Sequence, residues 1–303
     1  MARTVSIEKV AKEGVVRRLR AKRVTEKDVD ARAKEYRARI AALPTRPVSR
    51  RAGAARVGAA AAGMQRTILA EGDSWFRYVV GFAVIWHLEK KLRVPILNLA
   101  TPGDEASEML SEDQRGRLRR ELRRGPALRR RYDFLLFSGG GNDLLANDRL
   151  RRWLNDYTPG MTAKQVVNGK ALDVVLAMLE LNYRELIALR DKHSPTTHLV
   201  LHTYDFAVPN GTKVCGLGPW LKPSLVARMV PAALRQEVVK ELLLRFRQRL
   251  QAVVASSASR SNISIVDTQG ALTAKDWENE IHPTKHGFGL IADRFAAHLK
   301  AAR

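Results

Sequence analysis

The amino-acid sequence predicts an α/β fold built on a five-stranded parallel sheet. From Arg66 onward, apolar runs of strand length alternate with longer stretches of helical periodicity. Such alternation favours parallel strands that are covered by helices on both faces. The 303 residues are 45% hydrophobic and 28% charged, which is typical of a soluble globular protein and enough for one large domain or two ordinary ones.

The predicted elements follow one another in a regular order. Predicted strands cover residues 67–73, 94–100, 132–139, 197–205 and 262–268. Predicted helices cover residues 75–93, 105–124, 143–154, 170–193, 225–256 and 286–302. Because ligands of such sheets gather at the carboxyl ends of the strands, we expect the functional residues in the segments that follow them.

The chain is predicted to contain three segments. A basic helical N-terminal arm covers residues 1–43, and the α/β domain covers residues 66–303. Between them, residues 44–65 consist of small residues, arginines and prolines without core-forming periodicity, which predicts a linker.

The arm contains two helical patterns, over residues 6–23 and 25–43. The second pattern begins with Thr25 and Asp28 at the spacing of a capping box. Its apolar residues recur at helical spacings; they are Val29, Tyr36, Ile40 and Leu43. This narrow apolar seam predicts that the second helix packs on another surface.

The chain is strongly basic, with 53 Lys and Arg against 31 Asp and Glu and a formal net charge of +22. Residues 1–66 hold 18 basic and 6 acidic side chains, so over half of the excess charge lies there. One interpretation is that the arm contacts a polyanion or nucleic acid, through salt-sensitive attraction. The other is that the arm is solvated and docks on its own domain or on a twin subunit. A second basic run, at 114–131, is predicted to be the solvated face of a helix.

Several classes of protein are excluded by the sequence. Cys215 is the single cysteine, so neither an intramolecular disulfide nor a zinc site with several thiolates can form. No histidine pair has metal-ligand spacing, no nucleotide-binding motif is present, and we expect no cofactor and no metal. The N-terminus lacks a secretory signal and the apolar runs are too short to cross a bilayer, so we expect a cytoplasmic protein without a membrane span.

Polar residues follow every predicted strand, and three kinds of them suit ester chemistry. A serine becomes a good nucleophile when a neighbouring base takes its proton, and the tetrahedral oxyanion that forms when it attacks an ester carbonyl needs hydrogen-bond donors. Ser74 follows the first strand and His282 follows the fifth, so they qualify as nucleophile and base. Gly103 and Asn142, after the second and third strands, qualify as donors together with the N–H of Ser74.

Four short motifs in chain order resemble the four blocks of the SGNH (GDSL) hydrolase family. They are GDSWF at 72–76, ATPGDEA at 100–106, GGGNDL at 139–144 and NEIHP at 279–283. The resemblance covers residues 66–300 and implies a three-layer α/β/α, flavodoxin-like fold with ester-hydrolysing chemistry. It further implies that Ser74 is the nucleophile, His282 the general base, and Ser74, Gly103 and Asn142 the oxyanion hole.

One position departs from the family pattern. The family usually has Asp three residues before the catalytic histidine, whereas this chain has Asn279. An amide adds no charge, and in serine proteases the analogous change costs about 10⁴ in turnover. Three hypotheses follow. Asn279 serves in a Ser–His dyad with a backbone carbonyl as helper, or a nearby carboxylate replaces it, or the site is inactive. The candidate carboxylates are Asp276, Glu278 and Glu280.

The sequence therefore predicts a serine esterase that hydrolyses a carboxylic ester, acyl or acetyl, through an acyl-enzyme. The substrate is expected to be a small-molecule, glycan or lipid ester. Aromatic residues after the first and fourth strands are candidates for a substrate wall; they are Trp75, Phe76, His202, Tyr204, Phe206 and Trp220. The alternative function is a catalytically silent scaffold whose basic arm binds nucleic acid, a polyanion or a partner protein.

Overall fold

The computed structural model describes residues 25–42, 66–78, 82–126, 130–146, 148–213 and 218–302. Within these residues, five short parallel strands form one sheet, as the sequence predicts. The strands are β1 (Ile68–Gly72), β2 (Ile96–Asn98), β3 (Phe134–Ser138), β4 (His198–His202) and β5 (Ile263–Val266). Strand β1, which leads into Ser74, lies between β2 and β3.

The strand order is β2-β1-β3-β4-β5, which is the flavodoxin-like order. All residues of β1 and β3 are buried, because helices cover both faces of the sheet. The chain leaves β1 toward one side and β3 toward the other, so a crevice opens at the carboxyl ends of this central pair. The segments that carry Ser74 and Asn142 begin there.

The helices form two groups by their contacts. Helices α2 (Val84–Leu92) and α10 (Lys285–Ala301) pack on each other, and they contact β2 and β5 respectively. The second group is α3 (Ala106–Met109), α4 (Glu112–Arg124), α7 (Gly169–His193) and α9 (Ala232–Ala255). Shorter helices are α5 (Gly141–Leu145), α6 (Ala163–Val166) and α8 (Lys222–Ala227), with 3₁₀ turns at Arg149–Trp153, Arg260–Asn262 and Ala274–Asp276. The three-layer α/β/α prediction is confirmed.

Four of the predicted helices differ from the structure. The prediction over 105–124 divides into α3 and α4, and that over 143–154 is replaced by α5 and the 3₁₀ turn Arg149–Trp153. The prediction over 75–93 is wrong in its first part, because residues 74–77 form a turn in which the N–H groups of Trp75, Phe76 and Arg77 donate to Asp73. The prediction over 225–256 divides at Pro231, which lacks an N–H and stands at the N-cap of α9.

Helix α1 (Glu26–Ala41) begins at the capping box that the sequence predicts between Thr25 and Asp28. Three of its side chains are buried against the α/β domain, namely Val29, Ala33 and Tyr36. The guanidinium of Arg32 donates to the backbone oxygen of Asn98 at 3.0 Å. Since Asn98 belongs to the edge strand β2, α1 covers that edge of the sheet.

Ion pairs join α1 to helices on both sides of that edge. Arg39 lies 3.1 Å from Glu89 of α2, and Arg37 pairs with Glu121 of α4. The other helix of the predicted arm and the predicted linker lie outside the described residues, so the domain boundaries stay predictions. Among the described residues, no helix is both long and apolar enough to cross a lipid bilayer.

Candidate active site

Ser74 stands in a tight turn directly after β1. The preceding strand can approach β3 closely only because residue 72 is glycine, since a Cβ there would lie 2.7 Å from the Cβ of Ser138. The N–H of Asp73 donates to the backbone oxygen of Ser138 at 3.0 Å, which continues the strand pairing by one residue. Ser74 thus leaves the sheet at its carboxyl edge, beside the end of β3.

Ser74 and His282 are in direct contact, although 208 residues separate them. The Oγ atom of Ser74 lies 2.8 Å from Nε2 of His282. The loop that carries His282 is anchored to the nucleophile turn, because the indole N–H of Trp75 donates to the oxygen of Ile281 at 3.1 Å. After this loop, Thr284 caps α10 and fixes where the helix begins.

Asn279 contacts the other nitrogen of the imidazole. Its Oδ1 lies 3.1 Å from Nδ1 of His282, and it also accepts the backbone N–H groups of Ile281 at 3.0 Å and His282 at 2.9 Å. Its Nδ2 donates to the hydroxyl of Tyr78 at 3.0 Å. Backbone N–H groups can only donate, so the amide oxygen must face them. The side chain of Asn279 therefore presents an acceptor to His282.

In the described part of the chain, none of the three candidate carboxylate groups bonds to His282. Asp276 accepts from the N–H and hydroxyl of Thr273. Glu280 is buried and faces the insertion after β4, and Glu278 meets His282 only through its backbone N–H, at 3.0 Å from the oxygen of His282. Within the described residues, Asn279 is the side chain that orients His282.

Glu280 holds the insertion that lies over the site. Its Oε1 accepts the N–H groups of Gly211 at 3.0 Å and Lys222 at 2.9 Å, and its Oε2 accepts those of Trp220 and, at 2.6 Å, Leu221. One buried carboxylate thus binds the backbone on both sides of residues 214–217. As a result, Trp220 lies edge-on to the imidazole of His282, with ring centroids 5.7 Å apart.

Of the predicted oxyanion donors, Asn142 lines the pocket and Gly103 does not. Asn142 lies in α5 beside Ser74, and its Nδ2 donates one hydrogen to the oxygen of Asp104 at 2.8 Å. The second hydrogen of that amide is available to another acceptor. Gly103 is exposed, has φ +87°, and precedes Asp104 in the chain without lining the described pocket.

A pocket opens beside Ser74 at the carboxyl ends of the strands. It is lined by Asp73, Ser74, Trp75, Gly141, Asn142, Leu145, Tyr204, Asp205, Ala207 and Ile281. The ring of Tyr204 lies against the backbone of Gly141, where a Cβ would come within 3.0 Å of it. Tyr204 itself has a left-handed backbone, with φ +52°. Such strain is common at functional sites and persists where surrounding contacts hold the residue, as the bond from the Tyr204 hydroxyl to Asp73 does here.

The predicted aromatic wall divides into three groups. Trp75 and Tyr204 line the pocket, and Trp220 contacts His282. Phe76 and His202 are buried in the core below the pocket, where their rings stack 5.8 Å apart, and they do not line it. Phe206 is half-buried and lies under the ammonium of Lys240 at 5.6 Å.

A buried polar network supports the nucleophile turn from below. The carboxylate of Asp73 accepts hydrogen bonds from Ser138 at 2.8 Å, Tyr204 at 2.6 Å and the N–H of Trp75 at 3.0 Å. Nε2 of His202 lies 2.8 Å from the hydroxyl of Ser138. Burial raises the pKa of Asp73 to about 6 and lowers the pKa of His202 to about 3. The network therefore contains a neutral imidazole at neutral pH.

Burial also controls the protonation of His282. Its pKa is lowered to about 3, because the imidazole is enclosed and desolvation penalises the charged form. A neutral imidazole whose Nδ1–H faces Asn279 has its lone pair on Nε2, toward Ser74. This arrangement can accept a proton from the serine hydroxyl.

Sequence reasoning missed several residues of this site. Ser138 ends β3 and Tyr78 follows Ser74 by four positions, but neither belongs to a recognisable motif. Leu145 and Ala207 are ordinary apolar residues whose place in the pocket depends on the turn of α5 and on the insertion after β4. Among the described residues, no group of three or more histidine, cysteine or acidic side chains is arranged to hold a metal ion.

The family of the chain is given by its sequence as a whole. Residues 61–290 match the GDSL-like lipase/acylhydrolase family, and the chain belongs to that family. It is a hydrolase that acts on ester bonds, in agreement with the fold and with the serine and histidine at the crevice. The resemblance to SGNH (GDSL) hydrolases noted in the sequence is thereby confirmed.

One solved structure shows the same fold at low sequence identity, and others are similar to a lesser degree. A protein from Streptococcus pneumonia, assigned provisionally as a platelet activating factor, is 13% identical with a TM-score of 0.52; the match covers 96% of this chain and 98% of that one. A phospholipase A1 from Streptomyces albidoflavus is 15% identical with a TM-score of 0.46, covering 79% and 100%. An extracellular lipase from Streptomyces rimosus is 15% identical with a TM-score of 0.45, covering 78% and 100%. A search of curated proteins finds no significant match.

Proposed function

We propose that the chain is a serine esterase that hydrolyses a carboxylic ester through an acyl-enzyme intermediate. The observation that carries the proposal is the 2.8 Å contact between Oγ of Ser74 and Nε2 of His282, in a crevice at the carboxyl ends of the central strands. A base must lie within hydrogen-bond reach of the proton that it takes, and this contact satisfies that condition.

In the acylation step, Oγ of Ser74 attacks the carbonyl carbon of the ester while its proton moves to Nε2 of His282. The oxyanion is held by the N–H of Ser74 and by the second amide hydrogen of Asn142, with the N–H of Gly103 as the third proposed donor. The ester C–O bond then breaks, and the proton on Nε2 passes to the oxygen of the leaving alcohol. Ser74 is left acylated.

In the deacylation step, water takes the place of the alcohol. His282 accepts a proton from the water as its oxygen attacks the acyl carbon, and the bond between that carbon and Oγ of Ser74 breaks. The proton on Nε2 returns to Ser74, and the acid leaves. The imidazole alternates between neutral and cationic forms, while Asn279 accepts its Nδ1–H throughout.

The test compares wild type with Ser74→Ala on p-nitrophenyl esters from acetyl to long acyl. Ser111→Ala is the matched control, because Ser111 is exposed at the N-cap of α4 and its hydroxyl donates to the backbone oxygen of Glu108 in α3. We expect turnover to disappear in Ser74→Ala and to persist in Ser111→Ala. Turnover near the wild-type value in a folded Ser74→Ala variant would overturn the proposal.

A covalent label tests the intermediate separately from turnover. A fluorophosphonate forms a stable adduct with an activated serine, and intact mass followed by peptide mapping locates the adduct. We expect one adduct, on Ser74, and none when His282 is replaced by Ala. Labelling of another serine in the wild type would contradict the assignment of the nucleophile.

A further inference from the structure

The replacement of a carboxylate by Asn279 creates an orientation problem that a carboxylate does not have. The two ends of an amide differ, and a 180° rotation exchanges its oxygen for its NH₂. With NH₂ toward Nδ1 of His282, the imidazole would have to accept there and carry its proton on Nε2. His282 could then take no proton from Ser74, which is the wrong-tautomer defect known from serine proteases.

The structure shows contacts that select the productive orientation. The backbone N–H groups of Ile281 and His282 lie 3.0 and 2.9 Å from Oδ1 of Asn279. On the opposite side, the hydroxyl oxygen of Tyr78 lies 3.0 Å from Nδ2 and accepts one of its hydrogens. A flipped amide would place its NH₂ against these two backbone donors, so the backbone selects the orientation. The Tyr78 hydroxyl can accept or donate, and its contact fixes the position of the far end of the amide.

Tyr78 also contacts the imidazole itself. Its ring stacks on that of His282 with centroids 4.2 Å apart and an interplanar angle of 29°. The face of an aromatic ring attracts a cation, so this contact favours the imidazolium that forms when Ser74 gives up its proton. Tyr78 and Asn279 are both buried, and water does not weaken either effect.

We infer that Tyr78 is a positioning residue for the catalytic base: its hydroxyl anchors the far end of the Asn279 amide, so that the amide oxygen stays against Nδ1 of His282, and its ring faces the imidazolium. The inference rests on the proposed serine esterase function. Two groups of this chain thus share the task that a single aspartate performs elsewhere. No motif in the sequence marks Tyr78 for this task.

The direct test is the tautomer of His282 in the resting enzyme, read from the ¹⁵N chemical shifts of its ring at pH 7. We expect the Nδ1–H form in the wild type and a smaller fraction of it in Tyr78→Phe, because an amide without its anchor holds the Nδ1–H less firmly. A wild-type imidazole that is protonated on Nε2 would overturn the inference. This measurement needs no ester and no turnover, so its failure is distinguishable from failure of the esterase proposal, and it stands even if Tyr78→Phe does not fold.

The kinetic test uses Tyr78→Phe in two backgrounds. With Asn279, we expect kcat/KM for p-nitrophenyl acetate to fall by about tenfold or more, because an unpaired buried amide hydrogen shifts an equilibrium by about that factor. With Asn279→Asp, either carboxylate oxygen can accept the Nδ1–H and its charge strengthens that bond, so the anchor at the far end matters less. The same Tyr78→Phe change should then cost less than about threefold.

Tyr132→Phe is the matched control, because Tyr132 is buried and its hydroxyl bonds to Glu121, outside the pocket. We expect it to leave kcat/KM and the tautomer unchanged. Equal losses from Tyr78→Phe in the Asn279 and Asn279→Asp backgrounds would show a structural contribution only and would overturn the inference. Wild-type kcat/KM in Tyr78→Phe would do the same.

Discussion

The indole N–H of Trp75 donates to the backbone oxygen of Ile281 at 3.1 Å, and this bond ties the nucleophile turn to the loop of the catalytic base. It joins two segments that are 206 residues apart in the chain. The distance between Ser74 and His282 therefore depends on a side chain that takes no part in the proposed proton transfer.

Replacing Trp75 by Phe should keep most of the ring contacts and remove this bond. We expect kcat/KM to fall because the contact between Ser74 and His282 loosens, while the free energy of unfolding falls by about 1 kcal/mol from the lost hydrogen bond. Ester kinetics and urea unfolding measure the two effects. Trp153→Phe is a control, since its indole N–H bonds to Leu144. A kcat/KM value equal to that of the wild type would show that the Trp75 bond does not contribute to catalysis.

The pH dependence of kcat/KM should reflect the burial of His282. Because burial lowers its pKa to about 3, the base is neutral throughout the neutral and mildly acidic range. We expect the acid limb well below the ordinary histidine value of about 6.5. Asn279→Asp places a negative charge beside Nδ1, which favours the imidazolium and raises the pKa of His282. The acid limb of the profile should therefore move to higher pH.

The measurement is kcat/KM against pH for wild type and Asn279→Asp, within the range where both stay folded by circular dichroism. A wild-type limb near 6.5 would show that the imidazole is solvated in solution. An unchanged limb in Asn279→Asp would show that residue 279 does not contact the titrating group.

Replacing Glu280 by Gln should loosen the insertion over the site. Both oxygens of Glu280 accept backbone N–H groups, and an amide would present its NH₂ to two of those donors. We expect a loss of about 3 kcal/mol in the free energy of unfolding and faster amide exchange at Trp220 and Leu221. Glu278→Gln is the adjacent control. Unchanged exchange in Glu280→Gln would contradict the anchoring role.

Deletion of residues 1–42 should destabilise the α/β domain, whereas deletion of residues 1–24 should not. Only the longer deletion removes α1, whose Tyr36 is buried and whose Arg37 pairs with Glu121. The midpoint of thermal unfolding measures the difference, with p-nitrophenyl acetate turnover as a check on the site. Equal midpoints for both deletions would show that α1 does not stabilise the domain, and would support residue 66 as the start of the domain.

Much of the fold follows from the sequence because buried parallel strands appear as uninterrupted apolar runs. All of the predicted strand ranges contain an observed strand, and the residue blocks at the ends of β1, β3 and β5 lie together. The limits of the helices are harder to predict from the sequence. The turn at Ser74 depends on a hydrogen bond that the side chain of Asp73 accepts from the N–H of Trp75, which no periodicity reveals.

The partner of His282 could not be chosen from the sequence alone. Asn279 and its three acidic neighbours lie within five positions, and only the path of the loop shows that Glu280 faces the insertion while Asn279 faces the imidazole. Likewise, the apolar seam of the second arm helix predicts packing without identifying its partner. The contact partner is β2 and the helices beside it, more than fifty residues away in the chain.

The position of α1 also affects how the sheet can grow. An edge strand offers unpaired N–H and C=O groups to any extended segment that reaches it. At β2, the guanidinium of Arg32 occupies one such oxygen, and the helix stands where a further strand would lie. Strand addition is thereby directed away from β2, and a chain that lost α1 would expose a template for intermolecular β-pairing.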